Sequence, residues 1–378
     1  MKSLKIYGMM MLGAMLLMTS CSSEDATQEV APQEAIAISF GCNYDDEEEN
    51  TTRAGYEGAM NTEDLHYTGF GVFASQSAGT QPDLMYNQEV EFTFVGDMGP
   101  SNPADPESDP LRGYWSYQPV KYWPASLTGL YFSAYAPYVD KATADAANAD
   151  DTGIVGMSSN TDTTPYILYR RSLKPDENVD LLWCYRSGLE SREALHFNMY
   201  HALARLEVYV KVDALPANTK ILIEQITLKG TMTKTAKLVL NDETVDGNNH
   251  YPVWQALATP DTEERTIVID NDDNNAVSYG IIDSQVRYIE GLPYAWQPAG
   301  LSTTAQNALS TGDRQGYIYL IPVGALNLEV KVKCQKWTEG DDEPTAYIKT
   351  TEAAVTTIDN PLKGNTRYTL NLTLSGMI

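Results

Sequence analysis

Cys21 has the sequence context of a residue that is covalently modified during export. Two lysines precede an apolar stretch over residues 6–18, which is too short to span a bilayer and is typical of a secretory signal. Residues 17–21, Leu-Met-Thr-Ser-Cys, resemble a bacterial lipobox, at which the chain is cut before the cysteine and the thiol is acylated. We predict a signal peptide over residues 1–20 and a lipid anchor on Cys21. The alternative is an ordinary signal peptide that ends near a cysteine.

Arg53 is a second candidate for processing, because it ends an acidic run. Residues 45–49 are Asp-Asp-Glu-Glu-Glu, and Arg53 is the only Lys or Arg between Lys5 and Arg112. Like charges repel one another and stay solvated, so we expect this segment to be open and accessible to a protease. The alternative is that Arg53 is merely an exposed loop residue.

The element that must position this acidic segment is a short strand, predicted over residues 35–42. Ile36, Ile38 and Phe40 alternate with small or polar residues, which is the period of a half-buried β-strand. Our hypothesis is that this first strand is removable and that a neighbouring subunit's strand then completes the fold. The alternative is a permanent core strand.

The composition excludes some functions. The chain has 378 residues and a formal net charge of −25, so it is a poor candidate for nucleic-acid binding, which needs clustered Lys and Arg. Its four cysteines form neither a disulfide framework nor a CxxC metal motif. We predict no metal site and no cofactor, and we interpret residues 241–249 as a solvated turn.

Catalytic motifs are also missing from the sequence. His196 and His201 have no accompanying Ser or Cys nucleophile motif, which favours packing over catalysis. No glycine-rich phosphate loop occurs, and we predict that the protein is not an enzyme. The aromatic residues between positions 115 and 123 could stack on a sugar, but their strand-like spacing is more typical of a core.

The rest of the chain predicts an all-β fold. Many short alternating segments are separated by Gly, Pro, Asn and Asp, which is typical of β-sandwiches. In the last predicted strand, residues 367–374, the inward residues are Tyr368, Leu370, Leu372 and Leu374. In the predicted strand over residues 221–228, a change of phase between Ile223 and Ile226 predicts a β-bulge. The composition changes near Tyr200, where we place a domain boundary.

Several of these stretches together resemble the fimbrillin family, the type V pilus subunits of Bacteroidales. Each stretch is short, and their order along nearly the whole chain carries the resemblance. They are Cys21, Thr52-Arg53-Ala54, Gly69-Phe70-Gly71-Val72-Phe73, Met85-Tyr86-Asn87, Lys121-Tyr122-Trp123-Pro124, Phe132-Ser133-Ala134-Tyr135-Ala136-Pro137, His201-Ala202-Leu203-Ala204-Arg205-Leu206 and Gly364-Asn365-Thr366-Arg367-Tyr368-Thr369-Leu370.

The resemblance implies two tandem transthyretin-like β-sandwich domains, here residues 54–200 and 201–378, after a lipidated pro-segment over residues 21–53. It implies surface exposure on the cell outer membrane through the lipid on Cys21. An Arg-specific, trypsin-like protease would then cut between Arg53 and Ala54 and remove both the lipid and the first strand.

The resemblance also implies an assembly step after cleavage. The emptied groove would accept a strand from another pilus subunit, in a homo- or heteropolymer, and the candidate donor contains Leu370, Leu372 and Leu374. The expected function is a fimbrial subunit for cell adhesion. The alternative is an uncleaved, monomeric outer-membrane lipoprotein that binds glycan or anchors a pilus.

Overall fold

β-Strands dominate the computed structural model, which confirms the predicted all-β class. It describes residues 35–44, 60, 62–77, 79–95, 113–172, 178–212, 219–247, 249–270, 280–281, 287–288, 318–338, 346–349, 354–358 and 361–374. Cys21, Arg53 and Ala54 lie outside these ranges. The two helices of the described part are short, α1 (Thr62–Thr68) and α2 (Lys141–Asp145). No helix within these ranges is long and apolar enough to cross a membrane.

The described residues contain nineteen strands in three sheets. The strands are β1 (Phe40–Tyr44), β2 (Phe70–Ser75), β3 (Met85–Phe94), β4 (Gly113–Ser116), β5 (Tyr131–Ala136), β6 (Gly153–Met157), β7 (Tyr166–Arg170), β8 (Leu182–Ser187), β9 (Leu195–His201), β10 (Ala204–Val212), β11 (Thr219–Asp246), β12 (Asn249–Asp270), β13 (Gly280–Ile281), β14 (Arg287–Tyr288), β15 (Ile318–Leu320), β16 (Leu326–Thr338), β17 (Ala346–Lys349), β18 (Ala354–Ile358) and β19 (Thr366–Leu374).

The first sheet has seven strands in the order β1-β9-β8-β5-β2-β3-β4. Its central strands β2 and β5 and the first three residues of β8 are buried on both faces, which explains why these stretches are nearly continuous apolar runs. Phe70 and Val72 pack in a first core, whereas Phe73, between Val72 and Ala74, packs in a second core on the opposite face. The first core is therefore enclosed by the sheet and by the elements at its two edges.

The second core joins the two halves of the chain. Strand β7 pairs antiparallel with β11, so the sheet β17-β16-β11-β7-β6 crosses the predicted boundary between residues 200 and 201. Leu238 and Leu240 of β11 pack in the same core as Trp183 of β8. The described residues from Ile36 onward belong to one compact unit. The division into two transthyretin-like domains stays a prediction.

The remaining sheet is built around β10. Its strand order is β14-β10-β15, and β19 pairs with β10 in parallel register, from Ala204 opposite Thr366 to Val212 opposite Leu374. β9 and β10 are separated by residues 202 and 203 alone. The partner strands of β1 and of β19 are therefore consecutive in the chain.

The long hairpin of β11 and β12 corrects one sequence interpretation and confirms another. The predicted solvated turn over residues 241–249 is wrong for most of its length, because β11 continues to Asp246 and pairs with the start of β12. Pairing across the hairpin outweighs the low strand propensity of these polar residues. The bulge predicted between Ile223 and Ile226 is confirmed by a register shift between Ile223 and Gln225.

Candidate strand-exchange groove

Residues 36–44 bridge the two edges of the seven-stranded sheet. On one side, β1 pairs in parallel with β9, from Phe40 opposite Leu195 to Tyr44 opposite Met199. On the other side, the Ile38 amide donates to the Lys121 carbonyl (2.9 Å), and the Trp123 amide donates to the Ile36 carbonyl (2.9 Å). Residues 121–123 follow β4, the last strand at the opposite edge. We call the space that residues 36–44 fill the β1 groove.

Three side chains of this segment enter the first core. Ile38, Phe40 and Cys42 are 2%, 7% and 3% exposed. Ile36, which the alternation places with them, is instead 46% exposed. The reason is that the segment leaves its ladder with β9 before Phe40 and turns to pair with residues 121–123, so Ile36 reaches the rim. The ladder strand is Phe40–Tyr44 rather than the predicted residues 35–42.

Phe40 lies inside a ring of four aromatic side chains, which we call the Phe40 pocket. Phe197 stacks on it with centroids 5.6 Å apart, and Tyr117 is tilted at 5.2 Å. Phe70 and Phe132 meet it edge-on at 6.2 and 6.3 Å. Offset and edge-on ring contacts of this kind each stabilise the fold by about 0.5–1.5 kcal/mol, in addition to the free energy gained from burying the rings. The Phe40 pocket is therefore shaped for a flat ring.

The next two residues of β1 have tighter surroundings. Gly41 lies against the His196 ring, and a Cβ at this position would clash with that ring. Cys42 is fully enclosed, and burial, with a smaller contribution from the neighbouring Cys184, holds the pKa of its thiol well above the ordinary value. Burial also raises the pKa of the Cys184 thiol to about 12. Both thiols are therefore protonated and unreactive while β1 is in place.

Tyr117 fixes the point at which the segment crosses from one edge to the other. Its hydroxyl donates to the Ile38 carbonyl (2.9 Å) and accepts from the Lys121 amide (3.2 Å). Burial raises the pKa of this hydroxyl, so it stays a donor at any physiological pH. One side chain thus ties both walls of the crossing together. Tyr122, which the sequence groups with it, points outward and is 52% exposed.

A buried polar cluster holds the chain that comes after the groove. The Asp180 carboxylate accepts from the amides of Met60 (3.1 Å) and Leu181 (2.9 Å) and lies 2.9 Å from His201 Nδ1. Burial acts to raise the pKa of Asp180, but His201 and the two amides outweigh it and hold that pKa below its usual value. Asp180 and His201 are both fully buried. The packing role predicted for His201 thus takes the form of a buried contact with Asp180 at the start of the link to β10.

The predicted donor residues lie in a different place. Leu370 is buried on β19, and Leu372 is partly buried. The side chain of Leu374 lies outside the described part. All three residues are paired with β10 of the same chain. Within the described ranges, no three or more His, Cys, Asp or Glu side chains converge on a possible metal position.

Sequence reasoning missed three contributors to the site. Cys42 continues the alternation of Ile38 and Phe40, so the same pattern extended by two residues would have found it. Tyr117 and Asp180 act through contacts with residues 79 and 120 positions away, and no local pattern signals such contacts. The site therefore combines a local strand signal with partners that only the fold brings together.

The fold and the site define a class: an all-β protein whose first described strand is an edge strand that closes the core. A family model described as fimbrillin-like matches residues 52–376, and the chain belongs to this family. The family comprises fimbrial subunits and not enzymes.

Two similar proteins illustrate the relationship. The chain is similar to fimbrium subunit Fim1C of Phocaeicola vulgatus, with 24% identity in an alignment 402 residues long. This match covers 90% of this chain and 98% of that protein. A crystal structure of a fimbrial protein from Bacteroides vulgatus is 18% identical, covers 90% of this chain and 96% of that chain, and has a TM-score of 0.47.

Proposed function

We propose that this protein is a subunit of a surface fimbrium that is exported as a lipoprotein and matures by losing β1. The lipid on Cys21 would hold the precursor at the outer membrane, and an Arg-specific protease would cut between Arg53 and Ala54. The strand of another pilus subunit would then fill the β1 groove. The single observation that carries this proposal is that residues 36–44 form an edge segment and yet supply three buried side chains to the first core.

Loss of this segment would leave an acceptor site with a strong driving force for refilling. Burial of Ile38 and Phe40 contributes about 1.5–3 kcal/mol each, against a net stability of about 5–15 kcal/mol for a typical domain. Removal would also expose the edge of β9, and an open edge is a template for another strand. Insertion of a neighbour's strand restores both the apolar contacts and the ladder, which is β-augmentation in its donor-strand form.

Two further observations support cleavage near Arg53. The acidic residues 45–49 separate β1 from Met60, where the chain is fixed by Asp180, so a cut between these points would leave the downstream chain anchored. The match to the fimbrillin-like model begins at residue 52, next to Arg53, and does not include β1.

The donor role of Leu370, Leu372 and Leu374 remains part of the proposal and concerns a neighbouring subunit. In this chain β19 pairs with its own β10 along nine residues. Donation would require β19 to leave that ladder, and acceptance in the β1 groove does not depend on it.

Thiol mapping on native cells tests the proposal. Cys184 is only 2% exposed with β1 in place, so a maleimide reagent should not label it in the precursor. We expect labelling of Cys184 after cleavage, and protection again once a neighbour's strand is inserted. An Arg53→Ala precursor should stay unlabelled and unassembled, whereas Lys363→Ala, a cation distant in sequence from the cleavage site, is the matched control. Assembly by Arg53→Ala with Cys184 protected throughout would contradict the proposal.

The alternative of an uncleaved lipoprotein that binds glycan has one observation in its favour. The rings of Tyr114 and Tyr122 are 57% and 52% exposed, and exposed rings can stack on sugars. Glycan-array binding by the uncleaved form that is lost in a Tyr114→Ala, Tyr122→Ala double variant would support this alternative.

A further inference from the structure

The β1 groove is shaped for a particular order of side chains, and β19 of the same chain does not have that order. We infer that the groove accepts a strand from a different kind of subunit, one that carries an aliphatic residue, then an aromatic residue, then a glycine or alanine, then a small apolar residue at the positions of Ile38, Phe40, Gly41 and Cys42. The inference rests on the proposed function, because it concerns what replaces β1.

The central requirement is the aromatic ring. Four rings surround Phe40 at centroid distances of 5.2–6.3 Å, and two of them, Phe70 and Phe197, also contact each other edge-on at 5.7 Å. A leucine in this position would fill less of the space and would lose the stacked and edge-on contacts. An incoming strand with leucine here is therefore a poor replacement for β1.

The second requirement is a small residue at the Gly41 position. A Cβ on the β1 backbone at this point meets the ring of His196, the residue that pairs with Gly41 on β9. His196 is exposed and could turn away, so glycine is preferred there and a branched side chain is disfavoured. The register is fixed by the alternation of the strand, because a shift of one residue would move the apolar side chains to the wrong face.

The third requirement is a small apolar residue at the Cys42 position. Cys42 is 3% exposed beside Cys184, and its side chain has two heavy atoms fewer than that of leucine. Inserting extra carbon atoms into a closed core forces neighbouring side chains or backbone to move. A strand with a leucine at this position would overpack the end of the groove.

We consider β19 placed in the β1 groove in the same chain direction as β1. It then departs from these requirements in each register that keeps its apolar residues inward. With Leu370, Leu372 and Leu374 at the inward positions, leucine replaces both Phe40 and Cys42, and Thr373 faces His196. With Tyr368, Leu370 and Leu372 inward, leucine again replaces both, and Asn371 faces His196.

A third register does place Tyr368 in the Phe40 pocket. It then buries the polar Thr366 at the Ile38 position, puts Leu370 at the Cys42 position and sets Thr369 against His196. β19 therefore resembles β1 in its alternation of apolar residues, but its side chains do not fit the β1 groove. Chains of this protein alone should not form long polymers through β19.

Peptide capture by the full chain tests this inference. The precursor would carry a site for a sequence-specific protease in place of residues 50–54, so that the segment before the cut becomes exchangeable. Fluorescent peptides would be compared by anisotropy: residues 36–44, residues 366–374, and residues 36–44 with Phe40→Leu or with Gly41→Thr. The Ser39→Thr peptide is the matched control for Gly41→Thr, because it introduces the same threonine side chain at a neighbouring position that is exposed.

We expect capture of the 36–44 and Ser39→Thr peptides with similar affinity. The 366–374, Phe40→Leu and Gly41→Thr peptides should each bind at least about tenfold more weakly, a difference of about 1.4 kcal/mol. Equal or tighter binding of the 366–374 peptide would overturn the inference and leave the proposed function standing. If the cleaved chain captures none of the peptides, including its own residues 36–44, the proposed function fails and the inference fails with it.

Discussion

β1 and β19 are similar in pattern but are held in different ways. Both have alternating apolar residues and both pair in parallel with a neighbour, yet β1 pairs through five residues with β9 and β19 through nine with β10. The inward side chains of residues 36–44 differ from one another in shape, whereas β19 repeats leucine at positions 370, 372 and 374. The comparison teaches that alternation identifies a core strand, while ladder length and the fit of each side chain indicate whether a strand can be exchanged.

The two strands also depend on one structural junction. Their partners β9 and β10 are joined through residues 202 and 203, and the Ala202 amide donates to the Leu181 carbonyl (2.6 Å) beside the buried Asp180–His201 pair. Removal of β1 would therefore leave this junction, and with it the sheet of β19, in place.

The largest expected effect is at Phe40, and it distinguishes β1 from β19 because only β1 is removed during the proposed maturation. Phe40→Ala should lower the free energy of unfolding of the precursor by about 3–5 kcal/mol, because it empties the Phe40 pocket. Cleaved and assembled material should be unaffected, since residue 40 is then gone. Urea unfolding of both forms measures this, and Ile36→Ala, at an exposed position, should change the precursor by no more than about 0.5 kcal/mol. An equal loss in the assembled form would show that β1 is permanent.

A change at the junction should affect precursor and assembled forms alike. Asp180→Asn removes the buried carboxylate that holds His201 and two backbone amides, so we expect a loss of about 3–5 kcal/mol in the free energy of unfolding of either form. Thermal or urea unfolding before and after cleavage measures this. A loss confined to the precursor would mean that the Asp180 cluster supports β1 rather than the retained chain.

The same carboxylate predicts the direction of a pH dependence. Because the folded state lowers the pKa of Asp180, its contribution to stability is present above the unfolded pKa of about 3.9 and is lost as the pH falls through the lower folded value. Stability against pH in the acid range should therefore fall less steeply for Asp180→Asn than for the native chain. Parallel curves would contradict this assignment.

Leu370→Ala tests the other side of the comparison. Leu370 is 5% exposed, so its truncation should cost about 2–5 kcal/mol in the precursor, and the same in assembled material for as long as β19 keeps its ladder with β10. Asn371→Ala, at an exposed position of the same strand, is the control. A loss that disappears on assembly would show that β19 leaves β10 and acts as a donor strand.

The smallest expected effect concerns the crossing point of residues 36–44. Tyr117→Phe removes the hydroxyl that joins Ile38 and Lys121 and should cost about 0.5–1.5 kcal/mol in the precursor alone. Tyr122→Phe, at an exposed ring, should be silent. An equal effect of the two changes on unfolding would mean that the Tyr117 hydroxyl does not hold the crossing.

The sequence predicted those parts of the fold that depend on local period. The alternation at Ile38 and Phe40, the inward side chain of Leu370 and the bulge after Ile223 are all local signals, and the structure contains each of them. The length of β11 could not be predicted, because residues 241–246 are polar except for Val245, and the last four of them are held in the strand by pairing with β12.

The candidate site was predicted only in part for the same reason. Ile36 follows the alternation but is exposed, because the chain changes partners at Ala37 and pairs with Tyr122, a residue 85 positions away in the numbering. The rings around Phe40 come from four separate elements, and no spacing in the sequence reveals that they meet. Cleavage at Arg53 rests on the acidic run and on the family resemblance.

The most direct test of an exchangeable first strand is the N-terminal peptide of the protein isolated from assembled surface fibres. Mass spectrometry should find a chain that begins at Ala54 and lacks residues 36–44. Assembled protein that begins at an acylated Cys21 and retains Phe40 would contradict the account.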